Sequence, residues 1–132
     1  MADAFLDTNV LAYAFIENEA RSSAADRVLS EGGIVNVQVL NEFVNVAVRK
    51  HALPWTDIRG SLATIRTLCG EPRSLTGTIH QAGVAIAERY RYRIYDALII
   101  AAAADAGCRT LYSEDLAAGQ TVRGVRIVNP FV

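Results

Sequence analysis

The stretch Phe5-Leu6-Asp7-Thr8-Asn9-Val10-Leu11 decides the fold: an apolar strand runs into a carboxylate and straight on into a second apolar segment. A strand this early in the sequence, followed by helical pattern, is expected mid-sheet in an α/β fold with Asp7 at its carboxyl end. In open α/β sheets ligands bind at that end. Asp is also a common helix cap, so Asp7 taken alone serves equally well as the cap of a helix beginning near Val10. Other carboxylates arriving at the same edge would separate the two readings.

Outward from this stretch, Val10 to Phe15 reads as a short helix and Arg21 to Glu31 as a second, ended by Gly32-Gly33. Ile34-Val35-Asn36-Val37 reads as a short strand. Leu40, Phe43, Val44 and Ala47 then mark the core stripe of a helix ending near Arg49-Lys50-His51, with Glu42 in its first turn and off the stripe. The cations there, His51 included, suit a helix C-terminus. Pro54 opens a helix to about Cys69 with Ile58, Leu62, Ile65 and Leu68 turned inward, and Trp55 is expected to pack or to meet a second subunit. Gly70 to Leu75 reads as a turn, with or without a short strand. Thr76 or Thr78 caps a helix that runs to about Arg89, with His80 in its first turn as a surface or cap residue.

The helix from Tyr95 to Ala106 is apolar almost all round and so is expected to be the most buried. Asp96 shares a face with Ile99, Ile100 and Ala103, where a carboxylate is costly unless hydrogen-bonded, paired or bound to metal. Gly107 stops this helix. Arg109 to Tyr112 is a strand delivering Ser113-Glu114-Asp115 at its carboxyl end, and Val125 to Val128 is expected as a last, edge strand.

The 132 residues suit one domain with one core, spanning 1–132. Apolar residues make up 52% and charged residues 20%, the balance of a globular chain. The formal net charge of -1 argues against nucleic-acid binding by bulk charge alone. Of 13 basic residues only Lys50 is lysine, a bias towards the forked contacts of arginine. Cys69 and Cys108 stand in no metal-ligand spacing and read as buried thiols of a reducing cytosol. No signal peptide or membrane span is expected, so the chain is read as cytoplasmic.

Asp7 and Asp115 follow strands, whereas Glu42 and Asp96 begin helices. Strand ends and the starts of the following helices meet at one rim of a three-layer α/β/α domain, so the four acids can converge. Two carboxylates ~4 Å apart repel by about 4 kcal/mol at an effective dielectric near 20, so such a cluster needs a counter-charge. Oxygen-only ligands select a hard divalent ion, Mg²⁺ or Mn²⁺. The implied chemistry is hydrolysis of a phosphate ester by activated water.

Phe5-Leu6-Asp7-Thr8-Asn9-Val10-Leu11, Val39-Leu40-Asn41-Glu42-Phe43, Tyr95-Asp96-Ala97-Leu98-Ile99 and Leu111-Tyr112-Ser113-Glu114-Asp115-Leu116 together resemble, in order, the motifs of the PIN-domain family. Within it they are most similar to the VapC-type toxins of bacterial toxin–antitoxin pairs. The resemblance implies a mainly parallel sheet flanked by helices, a Mg²⁺- or Mn²⁺-dependent endoribonuclease, a homodimer and a cognate antitoxin lying across the catalytic groove. It matches Asp7, Glu42, Asp96 and Asp115 to the family's acidic residues. Thr8 and Ser113 fall where the family has an orienting hydroxyl, and Asn9 matches the pattern beside the first Asp. Glu114 follows a strand pleat, is expected to point away, and is left outside the metal site.

Arg89-Tyr90-Arg91-Tyr92-Arg93 suits an RNA track, with guanidinium groups on phosphate and rings on bases. It suits equally a helix end carrying its usual cations beside packed tyrosines. The alternative to an enzyme is a non-catalytic RNA- or protein-binding module in which the acids are caps. An aspartyl phosphatase is disfavoured because Asn9 stands where that chemistry wants an acid, and a phospho-acceptor domain because no lysine follows Lys50.

Overall fold

The computed structural model describes residues 3–16 and 20–132. Strand β1, Ala4–Leu6, has Phe5 and Leu6 fully buried, so it is covered on both faces as parallel strands beneath helices are. It pairs in parallel with β2, Thr110–Tyr112, with Phe5 opposite Leu111. β2 pairs in parallel with β4, Val125–Val128, and β3, Thr121–Val122, returns antiparallel along β4. Among the described residues the order is β1-β2-β4-β3, a mixed four-stranded sheet in which β1 stands at the end rather than in the middle, with only an isolated Phe5–Ile34 bridge beyond it.

Among the described residues six helices flank the sheet: α1 Thr8–Phe15, α2 Ser22–Ser30, α3 Val37–Arg49, α4 Trp55–Cys69, α5 Gly77–Tyr90 and α6 Ile94–Asp105. α1 packs on α2 and α3, while α4 completes that group against α2 and α3. α5 lies along α6, which also meets β2 and β4. Every residue of α6 from Ala97 to Ala103 is buried, as its composition requires. The α5–α6 approach is close at Gly83, where a Cβ would stand 2.6 Å from Leu98 Cδ2. No helix among the described residues is long and apolar enough to cross a membrane.

Several expectations change here. Residues 34–37 form no strand; Ile34 and Asn36 make isolated bridges, to Phe5 and Arg73. Asn36 instead caps α3, its Oδ1 accepting from the Val39 N–H at 2.9 Å, which draws Val37 into the helix. β4 is not an edge strand, because β3 lies outside it. The turn between them is Arg123-Gly124, with φ of 51° and 79°, the double positive φ of a tight hairpin.

Helix faces are also rotated slightly from their expected settings. In α3 the fully buried residues are Val39, Phe43 and Ala47, with Leu40 and Val44 half-buried beside them. In α4, Ile58 and Ile65 are buried but Leu68 is exposed, as is Trp55, more than half of whose surface faces outward. Thr76 rather than Thr78 caps α5, accepting from the Ile79 N–H at 3.2 Å. Cys108 is buried and Cys69 half-buried; both are free, and burial pushes both thiols up.

Candidate active site

Asp7 is the first residue beyond β1, and its N–H donates to the Tyr112 carbonyl at 3.1 Å, locking it to the end of β2. The parallel register that sets Leu6 opposite Tyr112 carries on to set Asp7 beside Ser113. The Ser113 hydroxyl donates to Asp7 Oδ2 at 2.7 Å, and the Thr8 N–H donates to Oδ1 at 2.7 Å. Asp7 is therefore the cap of α1, a helix that starts at Thr8 rather than Val10. Burial pushes its carboxyl up to about 6; the Ser113 and Thr8 bonds pull it down, and Glu42 and Asp115 push it further up.

Glu42 projects from α3, in the second turn rather than the first because Asn36 starts the helix early. The Thr8 hydroxyl donates to its Oε2 at 2.9 Å. Gln38, one turn earlier on the same face, donates from Nε2 to Oε1 at 3.0 Å. The same nitrogen donates to the Tyr95 carbonyl at 3.1 Å, tying α3 to the first turn of α6. Gln38 is buried, and sequence reasoning missed it. The signal available was its position four residues ahead of Glu42.

Asp96 lies in the first turn of α6, half-buried. Burial raises its carboxyl, Asp115 and Glu42 raise it further, and the Arg93 guanidinium lowers it. Asp115 is exposed on the loop after β2. Asn9 organises that loop: its amide nitrogen lies 3.3 Å from Asp115 Oδ2 and 3.5 Å from Ser113 Oγ, while its carbonyl accepts from the Glu114 N–H at 3.2 Å.

Glu114 does not turn fully away, but lines the cleft wall with its carboxylate engaged elsewhere. It accepts from the Tyr13 hydroxyl at 2.8 Å and pairs with Arg21 Nε at 2.9 Å. Tyr13 and Arg21, both missed at the sequence level, hold it.

Glu42 and Asp115 thus act on both Asp7 and Asp96, so the four acids share one electrostatic field. Each of Asp7, Glu42 and Asp115 is also drawn to donors of its own, as like charges held near one another would be. The convergence is looser than a finished ion nest: among the described residues no three His, Cys, Asp or Glu side chains stand as a group that holds an ion. An open cleft of about 410 Å³ runs from this rim between α1 and α3.

A sequence profile of the PIN domain matches residues 4–121. The chain belongs to the PIN-domain family. Two solved structures share this PIN fold. One is VapC20 from Mycobacterium tuberculosis, a sarcin-ricin loop cleaving toxin, 20% identical with a TM-score of 0.69 over 85% of this chain and 89% of that one. The other is a toxin–antitoxin complex from Klebsiella pneumoniae, 21% identical with a TM-score of 0.73 over 97% of this chain and 98% of that one. No curated protein matches this PIN domain by sequence.

In this PIN domain the tyrosines of the Arg/Tyr stretch are engaged internally. Tyr90 and Tyr92 stack at 6.1 Å between centroids, Arg89 lies over the Tyr90 ring, and the Tyr92 hydroxyl donates to Gln120 Oε1. Arg89, Arg91 and Arg93 are exposed. Arg93 acts on one of the four acids, Asp96.

Proposed function

We propose that this chain acts as one domain, a cytoplasmic metal-dependent endoribonuclease, the toxin of a toxin–antitoxin pair that works as a homodimer and is restrained by a cognate antitoxin. The reading is supported by membership of the PIN family and by likeness to a VapC toxin and to a toxin–antitoxin complex. The observation that carries it is the buried Asp7 carboxylate at the end of β1, with Glu42, Asp96 and Asp115 in one field around it.

The donor set fits a hard divalent ion, Mg²⁺ or Mn²⁺, because it is all oxygen and all of one sign. Asp7, Glu42, Asp96 and Asp115 would hold it. Bound there, such an ion supplies charge neutralisation, Lewis acidity towards phosphate and a lowered pKa for water.

The chain's own residues do the rest. Ser113 and the Thr8 N–H favour the ionised Asp7 by donating to it, and thereby oppose the burial that would neutralise it. Thr8 and Gln38 fix one oxygen each of Glu42, which orients that carboxylate across the rim. Asn9 holds the Ser113–Asp115 loop in place. Arg89, Arg91 and Arg93 supply the positive charge that meets the RNA backbone.

The test is incubation of the purified protein with RNA in Mg²⁺ or Mn²⁺ and in EDTA. Internal cleavage that EDTA abolishes is expected. RNA binding without cleavage in either ion would leave the non-catalytic module in its place.

A further inference from the structure

We propose that Glu114 is a positioning residue: gripped by Tyr13 and Arg21, it holds the loop after β2 so that the next residue, Asp115, stays within reach of the other three acids. The inference rests on the metal-dependent ribonuclease reading and deepens it. Asp7 is buried and Glu42 and Asp96 are half-buried on helices, whereas Asp115 is exposed on a loop. It nevertheless acts on both Asp7 and Asp96, so something must keep the loop in place.

The backbone is tethered on both sides of the pair. Ser113 and Leu116 are buried, the Asp115 N–H donates to Ser113 Oγ at 3.2 Å, and the Glu114 N–H donates to Asn9 Oδ1 at 3.2 Å. The Glu114 side chain adds the longest reach. The Tyr13 hydroxyl donates to its Oε2 at 2.8 Å and Arg21 Nε to its Oε1 at 2.9 Å, one donor for each oxygen. Both bonds are charge-assisted, the stronger class, and they commit the carboxylate to this grip rather than to an ion.

Asn9 and Tyr13 stand one turn apart on α1, so one face of that helix holds both the backbone and the side chain of Glu114. The grip is itself braced. Arg21, at the start of α2, lies 5.5 Å from the centroid of the Tyr13 ring, Phe131 meets the same ring edge-on at 4.9 Å, and the Ser22 hydroxyl donates to the Tyr13 carbonyl at 2.8 Å. An ion pair as open as this one, with side chains 48% and 24% exposed, adds little to global stability. Its effect is local: it fixes the direction of an acid that the rest of the loop leaves open to solvent.

The experiment compares the wild type with Glu114→Ala, Glu114→Gln, Asp115→Asn and the double variant Glu114→Ala/Asp115→Asn, each shown to be folded by its melting curve. Mn²⁺ affinity is measured by calorimetry, and amide hydrogen exchange of the loop is measured in EDTA. Glu114→Ala is expected to lower Mn²⁺ affinity about tenfold, the lower end of the cost of losing a group that orients a ligand, with Glu114→Gln losing less. Exchange at the Asp115 amide is expected to speed up in Glu114→Ala without metal. In the Asp115→Asn background the alanine change should cost no more than about a further twofold, because a residue acting through Asp115 has nothing left to position. Wild-type affinity in every Glu114 variant that folds, or an unchanged exchange rate at Asp115, overturns the role and leaves the ribonuclease reading intact. Losses that add in the double variant also overturn it, because Glu114 would then act on the ion without Asp115. A wild type that binds no Mn²⁺ overturns both.

Discussion

Ser113 and Asp7 lie 106 residues apart in the chain, yet the Ser113 hydroxyl donates to Asp7 Oδ2 at 2.7 Å, both groups buried at the ends of adjacent parallel strands. This bond is the largest influence favouring ionised Asp7, set against a burial that favours the neutral acid. Replacing Ser113 by Ala removes it and strands a buried carboxylate oxygen. The acid limb of the cleavage pH profile is expected to move to higher pH, and stability to fall by about 1–3 kcal/mol. An acid limb that stays in place would mean that the hydroxyl does not govern Asp7.

Asp7 also makes a stability prediction. Its carboxyl is raised from 3.8 to about 6, so between those values the folded state binds more protons than the unfolded chain. Stability therefore falls as pH rises through that window and stays lowered above it. In EDTA, Asp7→Asn should melt higher than the wild type at pH 8, by at most about 3 kcal/mol from a shift of roughly two pK units. The gain should vanish below about pH 4. A variant less stable than the wild type at pH 8 would contradict this.

Gln38 bridges Glu42 and the Tyr95 carbonyl, and so sets α3 against the start of α6, where Asp96 lies. Gln38→Met keeps the volume and loses both donors. Apparent Mn²⁺ affinity is expected to drop 10- to 100-fold, the usual cost of losing a group that orients a metal ligand. Calorimetric titration checks this, and wild-type affinity in a folded variant would reduce Gln38 to a packing residue.

Neutralising Arg89, Arg91 and Arg93 together should weaken RNA binding and lower its salt slope by about 0.7 for each phosphate that no longer meets a guanidinium. Arg93→Gln alone should also raise the Asp96 carboxyl, since its guanidinium holds that group down. A salt slope unmoved by the triple change would return the stretch to the end of α5, where its tyrosines already pack on one another.

The sequence made the placement of Asp7, Asp96 and Asp115 readable because a strand end or a helix start is marked by a sharp change from apolar to acidic residues. The side of its helix on which Glu42 lies was legible although the helix start was misplaced, because an acid set off the apolar stripe stays off it when the helix starts earlier. Asn36 was less legible, since its cap depends on a side-chain bond to Val39 that strand pattern does not reveal. β3 escaped notice because it is two residues long and its turn is Arg-Gly rather than Asn-Gly or Asp-Gly. Gln38 is legible only through its partners, one of which lies 57 residues further along.

Whether the acids hold one divalent ion is decided by a Mn²⁺ titration followed by electron paramagnetic resonance, on the wild type and on Asp7→Asn and Asp96→Asn. Saturable binding to the wild type is predicted, with a loss of at least about tenfold in affinity for each variant. Undiminished binding in both folded variants, or none in the wild type, would contradict a shared metal site.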